Sequence, residues 1–396
     1  MAQVNKPSDI DGIIAPHMEG WVKIRHDLHA HPELKFEENR TADIVARELA
    51  AYGYEPQRGL IGTDVVVTLP GKDPSRGIIL RADMDALAVH ENTGLAYASR
   101  EPGKMHACGH DGHTVMLLAA AKVLREMPQL PGNVHFVFQP GEEGGAGAQK
   151  MIDAGLFEKH PAEAVFGLHN WPTLPQGEFG IRPGPIMGAG VRVGITVRGK
   201  GTHAAQPHRG IDPLPIACSI VLQCQVLMAR YKNALDPAVM SICTMTAGDA
   251  ENVIPDEVEM RGTIRTLSSK LLETLQAQVR EIATGLAAIH GAQAEVVFRQ
   301  VYPVTMNSVA ETKFCEDVIR SAFPGRTLHD GIDPNLTSED FGFMLEKRPG
   351  AYVLLGAAQT GKTNAPLHNP AFDFNDNLIG VGAKYWAQLA TDYFAQ

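Results

Sequence analysis

Gly77-Ile78-Ile79-Leu80-Arg81-Ala82-Asp83, the stretch Thr114 to Met127, and Val134-His135-Phe136-Val137-Phe138 follow one another along the chain, and their order decides the fold class. The first is a β-branched run ending at Asp83, as a strand buried on both faces would. The second is rich in Ala, Leu and Met and stops at Pro128, which reads as a buried helix. Strand, helix, strand predicts an α/β sheet with helices on both faces. Upstream, Asp64 to Leu69, closed by Pro70-Gly71, is a further strand. Trp21 to Tyr52, with apolar residues at helical spacing broken by His31-Pro32-Glu33, reads as helix, turn, helix. Downstream, Ala351 to Gly356 is another buried strand and Asn377 to Phe394 a closing helix.

Between these parts the pattern changes, after Pro183-Gly184-Pro185. Val191 to Arg198 alternates with period two. A helical stretch from Pro213 to Arg230 follows, then alternating runs near Met240 and Val258, a helix from Ser268 to His290 and a strand from Ala294 to Arg299. Strand, helix, two strands, helix, strand is a ferredoxin-like arrangement. The expected organisation is an α/β domain of residues 1–188 and 303–396 with 189–302 inserted as an α+β unit.

With 396 residues, 44% hydrophobic and 20% charged, the chain has ordinary globular composition. A net charge of −10 argues against a protein whose affinity rests on a basic face for nucleic acid. The five cysteines (Cys108, Cys218, Cys224, Cys243, Cys315) form no C-x-x-C pair, so a disulfide framework is not expected and the compartment reads as reducing. Apart from Cys108 they are assigned to packing. Met1 to Asp9 lacks an apolar signal core, and the apolar run Val115 to Ala121 is shorter than the ~18 residues of a membrane span. A cytoplasmic protein without membrane partners is expected.

The chemistry concentrates in His106-Ala107-Cys108-Gly109-His110-Asp111-Gly112-His113, just ahead of the buried helix. Thiolate and neutral imidazole suit zinc-like ions, so Cys108 and His110 are candidate ligands. The alternative is a small buried thiol among hydrogen-bonded histidines. After the strand at Val134 comes Gln139-Pro140-Gly141-Glu142-Glu143-Gly144-Gly145, where one carboxylate can bind metal while the other takes a proton from water, unless the pair is a solvated turn. Asp83, Glu142 and His169 each follow an apolar run, which places them outside the carboxyl ends of strands, where α/β sheets bind ligands. His169 and His368, each bland alone, bring the candidate ligands to five with Cys108, His110 and Glu143. Five exceed one tetrahedral site and suit two metals sharing a ligand.

Arg81-Ala82-Asp83-Met84-Asp85-Ala86-Leu87, Met105 to Thr114, Gly141-Glu142-Glu143, Leu168-His169-Asn170 and Gly201-Thr202-His203-Ala204-Ala205 together resemble the M20 metallopeptidase/amidohydrolase family, in its hippurate hydrolase and indole-acetyl-amino-acid hydrolase branch. The resemblance runs through nearly the whole chain. It implies a phosphorylase/hydrolase-like catalytic domain with an inserted ferredoxin-like lid and dimerisation domain, assembled as a homodimer or homotetramer. It also implies two divalent ions per subunit, Mn²⁺ or Zn²⁺ with Co²⁺ or Ni²⁺ as alternatives, acting on the amide bond of small N-acyl amino acids. Residue by residue it makes Cys108 the bridging ligand, His110, Glu143, His169 and His368 the other ligands, and Glu142 the general base. The wider family carries H-x-D where this chain has Asp83-Met84-Asp85, and a bridging Asp where it has Cys108. Asp85 then orients a ligand imidazole. In the inserted unit, His203 would polarise the substrate carbonyl in a neighbouring subunit's site, and Asn252 and Arg265 would hold the substrate carboxylate. Two competing readings keep part of this picture: a metallo-dipeptidase, and a non-catalytic protein that binds acyl amino acids.

Overall fold

The computed structural model describes residues 9–361 and 364–395, so Met1 to Ser8, on which most of the export reading rests, lies outside the described residues. The chain forms two units. The first comprises Met1–Gly184, Met306–Asp333 and Phe343–Gln396, and the second Pro185–Thr305 and Pro334–Gly342.

The first unit is built on an eight-stranded sheet. Asp73–Asp83 lies inside it, with Gly132–Gln139 parallel on one side and Ala164–Pro175 parallel on the other; Ile78 opposes Val134 and Ala164. Ile78, Ile79 and Leu80 are fully buried, as an apolar run without alternation requires when both faces are covered. The chain leaves Asp83, returns through the helix His110–Glu126 to the strand on one side, and later reaches the strand on the other. The order therefore reverses at the carboxyl end of Asp73–Asp83, and such a switch point opens a crevice for ligands. Gly350–Ala358 continues the sheet parallel to Ala164–Pro175. The helix His110–Glu126 is buried continuously from His110 to Ala121 and shares its core with Trp386, Leu389 and Ala390 of the closing helix Leu378–Tyr393.

That central helix begins at His110, four residues before the start expected from composition. Gly109 precedes it at φ +89°, a conformation that suits glycine, and a Cβ there would lie 2.2 Å from Asn170 Oδ1. The close approach of the strand bearing Asn170 sets where the helix starts, and it puts His110 in the first helical turn.

The second unit is a four-stranded antiparallel sheet in the order Ala238–Ala247, Glu257–Thr266, Ala189–Arg198, Gln293–Tyr302. Val191, Val193, Ile195 and Val197 of the third of these form one core with Ile216, Ala217 and Ile220 of the helix Pro213–Val226 and Leu272, Leu275 and Val279 of the helix Ser269–Ile289. Ser268 caps the latter, its Oγ accepting from the Leu271 N–H at 3.2 Å. The stretch Pro213–Tyr231 is long and apolar enough by composition to cross a membrane, more so than Val115 to Ala121. One side of it fills the unit's core, while Leu222 on the other is 65% exposed.

Candidate metal centre

The buried crevice end of the first unit gathers the groups singled out in the sequence. Donor atoms of Cys108, His110 and His169 lie within 4.8 Å of one another, as do those of Cys108, Glu143 and His368, and those of His110, Glu142 and Glu143. Cys108, His110 and Glu143 each belong to two of these groups, so the donor sets overlap. His169 Nδ1 lies 2.7 Å from the Asn170 carbonyl, to which it donates, and this leaves the Nε2 lone pair facing Cys108 Sγ at 3.4 Å. His368 stands at φ +65°, an unusual backbone for a non-glycine residue, and is held there by its N–H donating to the Ala107 carbonyl at 2.7 Å. Its Nε2 lies 3.1 Å from Glu143 Oε1.

The residues fit a cation by their chemistry. His110 is 1% exposed, yet neither of its ring nitrogens has a hydrogen-bond partner; its nearest carboxylate oxygens are Asp85 Oδ1 at 3.4 Å and Asp83 Oδ2 at 3.8 Å. Buried imidazole nitrogens without partners are costly, and a coordinated ion would remove that cost. Burial pushes the Cys108 thiol up to about 12, and a divalent cation would reverse this because thiolate is the ligand form. Burial likewise holds His169 well below its ordinary pKa, leaving a neutral ring. For His110 burial disfavours the charged ring, but Asp83, Cys108 and Asp85 together outweigh it and raise the pKa. Burial also opposes ionisation of Glu143, and His368 and His110 together override it to lower that pKa.

Asp85 does more than flank an imidazole. Its Oδ1 accepts from the Glu142 N–H at 3.0 Å and its Oδ2 from the Glu143 N–H at 2.8 Å, so one carboxylate fixes the backbone of both glutamates. Behind them, Glu38 Oε1 accepts from the Gly141 N–H at 2.9 Å and Glu38 Oε2 from the Thr63 hydroxyl at 2.8 Å. Asp83 forms a further potential donor group with His110 and His113, and is held by Arg81 Nη1 at 2.7 Å and His113 Nδ1 at 2.6 Å.

Two supporting layers went unassigned in the sequence. His113 bridges Asp83 and Asn170, with Nε2 2.7 Å from Asn170 Oδ1, and its ring packs edge-on against His169 at 4.4 Å between centroids. The signal was its place three residues after His110, which sets both rings on one helix face. Further out, Asp111 takes His29 Nδ1 at 2.8 Å with Arg25 Nη1 at 3.6 Å. Burial alone would neutralise His29, but Asp111 and Glu91 raise its pKa to about 9. His106, the first histidine of the motif, is lowered to about 4 by burial and belongs to none of the ligand groups.

In the second unit, His203 pairs with Val253 across a short ribbon, and the Ala204 N–H donates to the Asn252 carbonyl at 2.9 Å, so His203 and Asn252 line one depression. Arg265 lies elsewhere. The ribbon adjoins the Glu257 end of the strand Glu257–Thr266, through the Gly201 N–H donating to Asp256 Oδ1 at 2.7 Å, whereas Arg265 sits near its far end with Nη1 2.6 Å from Ser338 Oγ. Asn252 and Arg265, both expected on one carboxylate, are thus separated within one chain by roughly eight residues of strand, ~26 Å.

The family model described as peptidase family M20/M25/M40 matches residues 79–392. The chain is 37% identical to a hippurate hydrolase of Campylobacter jejuni over 371 residues, covering 94% of this chain and 96% of that one. It is 37% identical to an N-acetylcysteine deacetylase of Bacillus subtilis over 374 residues, 93% of this chain and 95% of the other. Among solved structures, the YXEP protein of Bacillus subtilis, described as a dinuclear metal-binding peptidase, superposes with a TM-score of 0.83 at 34% identity, covering 96% of this chain and 99% of that one.

Proposed function

The chain belongs to peptidase family M20/M25/M40, and on that premise we propose that it hydrolyses the amide bond of N-acyl amino acids to a carboxylic acid and a free amino acid. Hippurate and N-acetylcysteine, named for the two relatives, share an acyl group on the nitrogen of an amino acid. The observation that carries the reading is the buried cluster around Cys108, with the unpartnered His110 ring beside Glu142 and Glu143.

Cys108, His110, Glu143, His169 and His368 would hold two divalent ions, with Cys108 shared. Mixed sulfur, nitrogen and oxygen donors suit Mn²⁺ or Zn²⁺. Bound there, the ions would supply Lewis-acid polarisation of the amide carbonyl and make water acidic enough to react near neutral pH. Glu142, 5% exposed and fixed through its N–H by Asp85, takes a proton from the attacking water. The water oxygen bonds to the acyl carbon, the C–N bond breaks, and Glu142 returns the proton to the departing nitrogen. Arg265 would pair with the substrate carboxylate by two parallel hydrogen bonds, and His203 would stabilise the developing oxyanion.

The separation of His203 and Asn252 from Arg265 supports a homodimer, in which one substrate meets residues from two copies. The strand Ala238–Ala247 is one of the two edges of its sheet, and Leu222, Val239 and Met245 beside it are 65%, 49% and 41% exposed, an apolar edge suited to a second copy.

The test compares amino acid release from N-benzoylglycine, N-acetylcysteine and an unblocked dipeptide, using chelator-treated protein and the same protein reloaded with Mn²⁺ or Zn²⁺. Metal-restored release from the acylated substrates is expected, and Glu142→Gln should keep its metal while losing ~10²–10⁴ in turnover. Release from the dipeptide alone would shift the reading to a dipeptidase, and no release with metal bound would make it a binding protein.

A further inference from the structure

The face of the second unit's sheet turned away from its two helices carries a concentration of positive charge in a chain whose net charge is −10. Val191, Val193, Ile195 and Val197 point into the helix-side core, so strand alternation turns Arg192, Gly194, Thr196 and Arg198 outward. The register places Thr263 and Arg299 opposite Arg192, one on each neighbouring strand, and Arg261 and Val297 opposite Gly194. Opposed residues on one face stand ~5 Å apart at Cβ and diagonal ones ~7 Å, so three guanidinium stems surround the position of Gly194. Nothing lies within 4 Å of where a Cβ on Gly194 would be. Gly194 lines a hollow of about 640 Å³ together with Arg192, Arg261, Thr263 and Arg299.

Charge at the two ends of this face is handled differently. At one end Arg198 is matched by Glu295 at 2.9 Å and Glu257 at 3.4 Å. At the hollow, Arg261 has Glu259 at 3.0 Å, while among the described residues no carboxylate pairs with Arg192 or Arg299. Two unpaired arginines directly opposed across a sheet repel each other, and an anion between them reverses the sign of that interaction. The size is that of a small-molecule site, and the planar forks suit oxyanions. Arg265 shares the face one row beyond Thr263, but it is engaged by Ser338 and does not line the hollow.

We propose that the hollow between Arg192, Arg261 and Arg299 binds a compact anion carrying two or more negative charges, a polycarboxylate or a phosphate compound. None of its residues is among those assigned to the metal centre, and the proposal does not depend on the activity proposed above. Calorimetric titration of the full-length, metal-loaded protein at fixed ionic strength tests it, with tricarballylate and inorganic phosphate as separate arms that distinguish the two sources. Saturable binding of at least one is expected. It should weaken by roughly tenfold or more in Arg192→Gln/Arg299→Gln, which removes the unpaired charges. Gly194→Val puts a branched side chain between the three arginines while keeping every charge, suits a strand, and should weaken binding similarly. Both variants should retain the wild-type circular dichroism spectrum and a cooperative thermal transition, which shows that they fold. Equal affinity in wild type and variants, as binding at the metal centre would give, overturns the proposal. So does the absence of saturable binding of either anion up to about 10 mM.

Discussion

Two variants, each inactive alone, should restore activity when assembled together. His203→Ala removes the proposed oxyanion donor, worth ~10²–10³ in rate, and Glu142→Gln removes the proton carrier. The magnitude follows from the second unit's geometry. The ribbon bearing His203 adjoins one end of the strand Glu257–Thr266 and Arg265 lies near the other, ~26 Å away at about 3.3 Å per residue. An N-acyl amino acid spans about two residues of chain, ~7 Å, so one molecule cannot touch both groups of one copy. If His203 serves the partner's site, a mixed dimer has one site with intact Glu142 and intact His203. Equal co-expression gives half mixed dimers with one working site of two, about a quarter of wild-type activity per chain. The assay is glycine release from N-benzoylglycine by the unfractionated co-expressed chains, and by dimers selected through a different tag on each chain, where one working site of two gives about half. Mixed dimers no more active than either parent would refute the reasoning and put His203 to work, if at all, within its own chain.

Cys108→Ala should reduce bound metal, measured by elemental analysis after gel filtration, because its sulfur lies within 4.8 Å of donor atoms of His110 and His169 and also of Glu143 and His368; full occupancy of two ions would remove it as a shared ligand. Burial raises Glu38 from an ordinary carboxylate value to about 7, so between pH 4.5 and 7 the folded state holds a proton that the unfolded state has lost. Stability should therefore fall as pH rises through that window, by up to ~3 kcal/mol from this group, and Glu38→Gln should flatten the fall in urea titrations across that range. An unchanged slope would contradict the burial argument. Gly109→Ala must adopt φ +89° and meet Asn170 Oδ1, so a loss of ~2 kcal/mol or more and a lower Tm are expected; a variant as stable as wild type would show that the helix start tolerates a side chain.

Part of the site was legible because its signals are local. Cys108-x-His110 and Glu142-Glu143 each bring several ligand-type side chains into a few residues, and apolar runs beside them mark strand ends whatever the rest of the chain does. Asp85 was legible as a neighbour of the ligands but not as the acceptor for two backbone N–H groups, since those donors come from a loop 57 and 58 residues away. His113 was in plain view, yet its partners Asp83 and Asn170 reach it from two different strands.

The sequence by itself determined the element types, their order and the family, because hydrophobic period, capping residues and motif spacing are properties of neighbouring residues. Tertiary structure alone decided where the central helix begins, since Gly109 takes its conformation against Asn170 of a distant strand. It alone assigned Pro334–Gly342 to the second unit, through such bonds as the Gly188 N–H donating to the Thr337 carbonyl at 2.8 Å. It also set Arg192 against Arg299, 107 residues apart in the chain and directly opposed in the sheet. Each is a meeting of residues that pairing register and packing bring together, and no local pattern encodes it.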